Sequence, residues 1–264
     1  MIISAALCPA APLLIPELNG AEPVLPELRQ AARSAAGELV AADPGLLVVA
    51  GTGASTATWD RPARADLAAF APGIDPGLTK ADEAADEAGE QAGAGRAWAS
   101  VLAVPARSGY EHGHERPGSL LVGNWLLDSV GYAGERLLTS VAMDEPAASC
   151  ARIGAELAGL ADRVALLVLA DGSACRGSKA PGYLDHRSTG FDAAVERAVR
   201  TGDLGALLAI DAGLAAELKA TGRAAWQLMA GALDGAGVAS VVRYCDDPLG
   251  VAYLVASLRV AGVG

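Results

Sequence analysis

The alternation of apolar and polar positions along the chain predicts a layered α/β protein. Short apolar runs bounded by turn residues are typical of buried strands, whereas apolar residues spaced three and four apart are typical of helices. The two patterns alternate, which favours a central mixed, largely parallel sheet flanked by helices. Because no internal repeat and no long linker divides the sequence, we expect a single domain over residues 1–264.

The predicted elements follow from these patterns. Predicted strands cover residues 2–7, 46–50, 101–104, 137–141, 163–170, 239–244 and 253–258. Predicted helices cover residues 23–42, 81–95, 119–129, 147–160, 191–199 and 214–233. The run RVALLVLA, residues 163–170, is the strongest apolar segment, so we expect it at the centre of the sheet.

Composition narrows the class of protein. Hydrophobic residues make up 52% and charged residues 19% of the 264 positions, which is typical of a globular chain. The net charge of -11 argues against nucleic acid and anionic membrane surfaces as partners. No apolar run is long enough to predict a membrane-spanning helix. A signal peptide begins with basic residues, whereas the first basic residue here is Arg29, so we expect no signal peptide. With four scattered cysteines and no C-x-x-C, we expect reduced thiols in a cytoplasmic protein.

The loop after the central strand contains several polar and charged residues that could bind a ligand or take part in catalysis. Asp171, Ser173 and Arg176 follow residues 163–170 directly. Ligands of open α/β sheets bind at the carboxyl ends of the strands, so this loop predicts a small-molecule pocket. The alternative interpretation is a loop held together by its own ion pairs.

Other motifs carry weaker signals. GTGAST, residues 51–56, resembles a phosphate loop but lacks both the third glycine of a dinucleotide fingerprint and a Gly-Lys-Ser/Thr sequence, which favours a tight turn. His112 and His114 in EHGHE either chelate a metal or are solvated. Asp246 and Asp247 form either a carboxylate pair or a solvated turn. No G-x-S-x-G elbow is present, which argues against a Ser-His-Asp triad.

In the segment after the first predicted strand, two prolines flank two alanines. Pro9 and Pro12 restrict the backbone where α/β proteins hold catalytic groups, yet the residues between them are Ala10 and Ala11. Neither alanine has a reactive side chain, so the sequence predicts a rigid backbone segment that carries no catalytic group.

Four stretches together resemble the B-type catalytic subunit of class III extradiol ring-cleavage dioxygenases. They are CPAAPLLIPEL, VVAGTGAST, ADGSACRGSKAPGYLDHRSTGFDAAV and RYCDDPLGVAYLVA, which begin at residues 8, 48, 170 and 243. The resemblance implies that the chain shares the α/β fold of this family. Members of the family open catechol rings with oxygen and non-haem Fe(II), which two His and one carboxylate hold with open coordination positions.

The resemblance also implies that most of this iron site is missing. The family's first iron-binding His lies in a Pro-His-x-Pro-like element, where this chain has Ala10 or Ala11. The second commonly follows the second strand, where Thr52 begins a segment without His. The acid/base His of the Ser-His-Arg-like segment is replaced by Ala174, and Asp246 is the stand-in for the glutamate ligand.

Iron binding and ring cleavage are therefore not expected. A single carboxylate is a poor Fe(II) site, since even losses outside the ligand set weaken metal binding about 10–100-fold. Extradiol chemistry also needs a base for the catechol, and position 174 lacks one. We expect no cofactor, and we expect Asp171, Ser173 and Arg176 to share a cleft with residues 9–12 and 51–55.

Three functional hypotheses remain open. The first is a non-catalytic protein that binds a small molecule or a partner. The second is an enzyme of changed chemistry that uses Asp171, Ser173, Arg176 and His186. The third is a true Fe(II)-dependent dioxygenase with a relocated metal site drawn from His112, His114, Asp185 and His186. Because subunits of the family usually associate, we also expect a homodimer.

Overall fold

A computed structural model describes residues 1–19, 24–59, 106–107 and 117–262. Eight strands lie in these ranges: β1 Ile2–Cys8, β2 Leu46–Gly53, β3 Ala57–Trp59, β4 Ala106–Arg107, β5 Arg136–Ala142, β6 Val164–Leu169, β7 Val238–Asp246 and β8 Tyr253–Val260. They form one sheet in the order β4-β3-β5-β2-β6-β1-β8-β7. The predicted central strand is thus confirmed as β6, which lies between β1 and β2.

The sheet is parallel in its centre and mixed at its edges. Strands β1, β6, β2 and β5 run parallel to one another. β8 is antiparallel to β1, β7 is antiparallel to β8, and β3 is antiparallel to β5. The predicted α/β class, a mixed and largely parallel sheet flanked by helices in one domain, is confirmed.

Helices cover both faces of the sheet. They are α1 Pro26–Ala41, α2 Gly118–Ser129, α3 Ala147–Ala158, α4 Arg187–Thr201, α5 Leu204–Leu208, α6 Ala212–Glu217 and α7 Arg223–Ala232. Helices α1 and α2 pack on one face, and α3 to α7 pack on the other. Successive β6 residues alternate between the two cores, and all of them are buried. Burial on both faces explains why this strand is apolar without interruption.

The prediction of one helix over residues 214–233 is wrong. The chain instead forms α6 and α7, separated by a turn in which Lys219 has a φ of 55°. The N–H of Gly222 donates a 2.9 Å hydrogen bond to the carbonyl oxygen of Asp171. A Cβ at residue 222 would lie 2.6 Å from that oxygen, so the turn requires glycine here. Contact with the loop after β6 thus interrupts a continuous helical pattern.

Several predictions fall outside the described residues. These are the helix over 81–95, the strand over 101–104, and the pair His112 and His114. Within the described ranges, no helix combines the length and apolar character needed to cross a bilayer. All four cysteines are free thiols.

Candidate functional site

The loops that follow β1, β2 and β6 lie side by side at one edge of the sheet. Cys8 and Gly51 are both in register with Leu169, so the carboxyl ends of the three parallel strands lie at the same edge of the sheet. β8 runs in the opposite direction and therefore begins at the same edge, where Tyr253 pairs with Asp246 of β7. This edge is where open α/β sheets bind ligands.

Asp171 is bound by the backbone of the proline-rich segment. The ladder between β1 and β6 ends with the N–H of Ala170 donating to the carbonyl oxygen of Cys8 at 2.9 Å. The N–H of Ala10 then donates to Oδ1 of Asp171 at 3.0 Å. Residues Pro9 to Pro12 therefore supply a backbone donor to the site, and this role does not depend on the side chain at residue 10.

The carboxyl group of Asp171 has an environment suited to proton exchange or ligand binding. Burial raises its pKa from 3.8 to about 6, although the hydrogen bond from Ala10 acts in the opposite direction. Within the described part of the chain, Oδ2 of Asp171 has no hydrogen-bond partner. Asp171 is half-buried and not fully enclosed, so this oxygen is accessible to a ligand donor.

Two tyrosines extend the site along β8 and β7. Tyr253 is 5% exposed, and its pKa is raised to about 12, first by burial and then by the negative charge of Asp171. The pKa of Tyr244 is also raised, chiefly by burial and then by Asp246. Both phenols therefore stay protonated at neutral pH. The Tyr253 hydroxyl makes no hydrogen bond to any described residue, so it remains free to donate.

Ser173 and Arg176 belong to a different network. Ser173 is fully buried; its N–H and its hydroxyl both donate to Asp192, at 2.9 and 2.5 Å. Nε of Arg176 donates to Asp247 at 2.7 Å and lies 3.8 Å from Asp192. Burial raises the pKa of Asp192, and the bonds from Ser173 lower it. For these residues the structure supports the alternative interpretation, a loop held by its own ion pairs.

The other predicted pocket residues occupy different places. Thr52 lies near the end of β2, and its carbonyl oxygen accepts from the hydroxyl of Ser119 at 2.8 Å. The N–H of Ala174 donates to the carbonyl oxygen of Leu218 at 3.0 Å, away from the β1 loop. Asp246 is exposed at the edge that holds Tyr253. The shared cleft is thus supported for Ala10 and Asp171 and stays a prediction for the rest.

Two of the residues suggested for a relocated metal site, Asp185 and His186, lie at the start of α4 in the described part of the chain. His186 is exposed and precedes the first helical residue, Arg187. Asp185 forms an ion pair with Arg187 at 2.6 Å, and hydrogen bonds from Arg187 lower the pKa of Asp185 to about 2. This carboxylate is therefore already engaged, which weakens the case for a metal at His186.

The Fe(II) implied by the resemblance does not fit the residues present. Ala10 and Thr52 offer no imidazole at the positions that the resemblance assigns to the iron-binding histidines, and Asp246 stands alone as a carboxylate ligand. Among the described residues, no three His, Cys, Asp or Glu side chains gather in a way that could hold a metal ion. These positions therefore cannot form a facial triad, which needs two imidazoles and a carboxylate.

Comparisons with known proteins define the fold and no more. No protein-family model matches the chain, and no curated protein matches it. Among solved structures, the chain is similar to the uncharacterized protein JW3007 from Escherichia coli K12, with a TM-score of 0.56 and 16% sequence identity. The match covers 97% of this chain and 99% of that one. At this identity the similarity establishes the architecture across the whole chain.

Proposed function

We propose that this protein binds a small hydroxylated molecule at Asp171, without iron and without ring cleavage, on a fold like that of the class III extradiol dioxygenases. The observation that carries the proposal is the arrangement around Asp171. One carboxylate oxygen is held by the N–H of Ala10, and the other has no partner among the described residues. The protonated hydroxyl of Tyr253 lies close enough for the charge on Asp171 to raise its pKa.

A ligand hydroxyl complements both groups. It donates to the free oxygen of Asp171, and a second ligand oxygen accepts from Tyr253. A hydrogen bond to a charged group contributes about 1.5–3 kcal/mol, and partial burial protects it from competing water. Tyr253 and Tyr244 pack with the apolar core at this edge of the sheet, and aromatic rings favour contact with an aromatic ligand. Catechols satisfy all three requirements, and the resemblance to extradiol enzymes supports the same class.

Binding of catechol tests the proposal directly. Calorimetric titration of the wild type with catechol should be saturable, and Asp171→Ala should weaken binding about 10–100-fold, since a lost charged hydrogen bond has this effect. Tyr253→Phe should weaken it less. Asp162→Asn is the matched control, because Asp162 is exposed and its side chain makes no hydrogen bond or ion pair in the described structure. Equal affinities for Asp171→Ala and Asp162→Asn would contradict the proposal.

A second candidate function is acid/base catalysis at Asp171. Its pKa of about 6 is close to neutral, so the carboxylate is able to accept and return a proton during turnover. The activity of such an enzyme would rise with pH around 6, and Asp171→Asn would abolish both the rise and the activity. A pH profile of any turnover found in a substrate screen distinguishes this candidate from simple binding.

A further inference from the structure

An open groove lies between α4 and the α5–α6 segment. Its volume is about 770 Å³, within the range of roughly 300–1,000 Å³ that is typical of small-molecule pockets. None of the residues that line it belongs to the site around Asp171. The groove is therefore a separate place on the molecule, with its own chemistry.

The interior of the groove is apolar. Phe191, Val195 and Ala198 lie on one face of α4, and Ile210 and Leu214 face them from the α5–α6 side. Small exposed residues leave the groove open along the helix. A Cβ added at residue 190, which is glycine, would meet no atom within 4 Å. The groove is therefore open at residue 190.

The rim of the groove carries charges of both signs, and one of its guanidinium groups has no carboxylate partner among the described residues. Among the arginines whose side chains are described, Arg197 is the one with no side-chain hydrogen bond or ion pair. Arg187, at the other end, pairs with Asp185 and Glu217. Of the lining carboxylates, Asp203 accepts from the N–H of Ala206 at 2.9 Å and Asp211 from that of Leu214 at 2.6 Å. Both are thus held at helix N-termini, and Arg197 remains free in a chain of net charge -11.

We propose that this groove is a second ligand site, which takes an apolar molecule bearing one carboxylate. The apolar body lies against Phe191 and Leu214, and the carboxylate binds the guanidinium of Arg197. Arginine suits this role because its planar fork can donate two parallel hydrogen bonds to one carboxylate. The apolar contacts supply most of the affinity, and the ion pair selects an acid over a neutral analogue.

Calorimetry with dodecanoate, below the concentration at which it forms micelles, tests this site. Ala194→Trp fills the groove from an exposed position and should weaken binding at least tenfold. Arg197→Gln should weaken dodecanoate binding about tenfold and leave dodecanol binding unchanged. Arg200→Gln is the matched control: Arg200 lies on the same helix, pairs with Glu196 and does not line the groove. Its affinity should stay within about twofold of the wild type.

Three results would overturn the proposal. The first is the absence of saturable dodecanoate binding by the wild type. The second is equal affinity of Arg197→Gln and Arg200→Gln, which would show that the charge is not used. The third is a sedimentation profile in which Ala194→Trp converts a dimer to a monomer, which would assign the groove to a second copy of the chain. Gly190→Leu fills the same space and replaces Ala194→Trp if that variant does not fold.

Discussion

The N–H of Ala10 and Oδ1 of Asp171 are 3.0 Å apart, although the residues are separated by 161 positions in the chain. This bond joins the loop after β1 to the loop after β6 at the carboxyl ends of the parallel strands, the edge where open α/β sheets bind ligands. It also explains why an alanine suffices between two prolines: the segment presents a backbone donor. The carboxylate that receives the bond is kept partly buried at a cost in stability, as is common at functional sites.

Replacing Asp171 should make the protein more stable at neutral pH. Its pKa of about 6 in the folded protein exceeds the ordinary 3.8, so ionisation opposes folding as the pH rises between these values. Asp171→Asn removes the ionisation and retains an oxygen that accepts from Ala10. We expect a gain of up to about 3 kcal/mol above pH 6, measured by urea unfolding.

The pH dependence separates this effect from a general change in packing. Below about pH 3 the carboxyl group is largely protonated in both the folded and unfolded states, so the stability difference between wild type and Asp171→Asn should no longer change with pH. Asp162→Asn should show no such divergence between pH 4 and 7. A stability difference for Asp171→Asn that is constant across this range would contradict the assignment.

Glycines at the contact between α3 and α7 should be essential for stability. A Cβ at residue 154 would lie 2.0 Å from the carbonyl oxygen of Leu228, and one at residue 231 would lie 2.2 Å from that of Ala151. Gly154→Ala therefore forces two helix backbones apart, and we expect a loss of about 2 kcal/mol or more. Thermal unfolding should show a drop in Tm of several degrees.

Gly190→Ala on α4 should have the opposite effect on stability. Its Cβ meets nothing within 4 Å, and alanine is favoured over glycine in a helix by about 0.5–1 kcal/mol. The variant should therefore be slightly more stable than the wild type. If Gly154→Ala proved as stable as Gly190→Ala, α3 and α7 would have to move apart easily, and the close contact between their backbones would not limit stability.

The architecture could be predicted from the sequence because the sheet core is regular. The run Val164–Leu169 is apolar without interruption, and this pattern has one simple explanation, a strand covered on both faces. The break between α6 and α7 was not predictable, because helical spacing continues through it. The break depends on Gly222 contacting Asp171, two residues that are distant in the chain. Periodicity carries no information about such a contact.

The candidate site was predictable only in part. The position of Asp171 after a central strand predicts that it lies at the candidate site, and the same rule groups it with Ser173 and Arg176. The structure turns those two toward Asp192 and Asp247, because the loop folds back over α4. Tyr253 was missed as a site residue, since a tyrosine that begins an apolar strand also fits an ordinary core position. Its place beside Asp171 depends on the antiparallel pairing of β8 with β1.

Association of the chain into a homodimer remains a prediction from the resemblance. Light scattering at micromolar concentration should give about twice the mass of a single chain, because two-fold pairs are the commonest assemblies. Dilution over a hundredfold range should not dissociate an obligate pair. A mass equal to that of a single chain throughout the range would refute this expectation.

Purified protein should carry no stoichiometric iron and should not cleave catechols. Ala10 and Thr52, at the positions expected for iron ligands, and Ala174, at the position expected for the acid/base, supply no imidazole. Extradiol cleavage needs both the metal and a base near the substrate. Asp171 cannot replace the triad by itself, since one carboxylate leaves most coordination positions of Fe(II) to water. The direct measurement is metal analysis after anaerobic loading with Fe(II), run beside oxygen uptake with a panel of catechols.

The three histidines define the outcome that would reverse this conclusion. About one iron per chain, together with a yellow ring-opened product, would show that the true-dioxygenase hypothesis holds with a relocated site. Loss of that iron in His112→Ala or His114→Ala would place the site in the EHGHE segment, whereas loss in His186→Ala would place it at the start of α4. Catechol binding without oxygen uptake, and its loss in Asp171→Ala, would instead match the metal-independent site at the end of β6. Because Asp171→Ala leaves every histidine intact, it separates catechol binding from iron binding in the same protein.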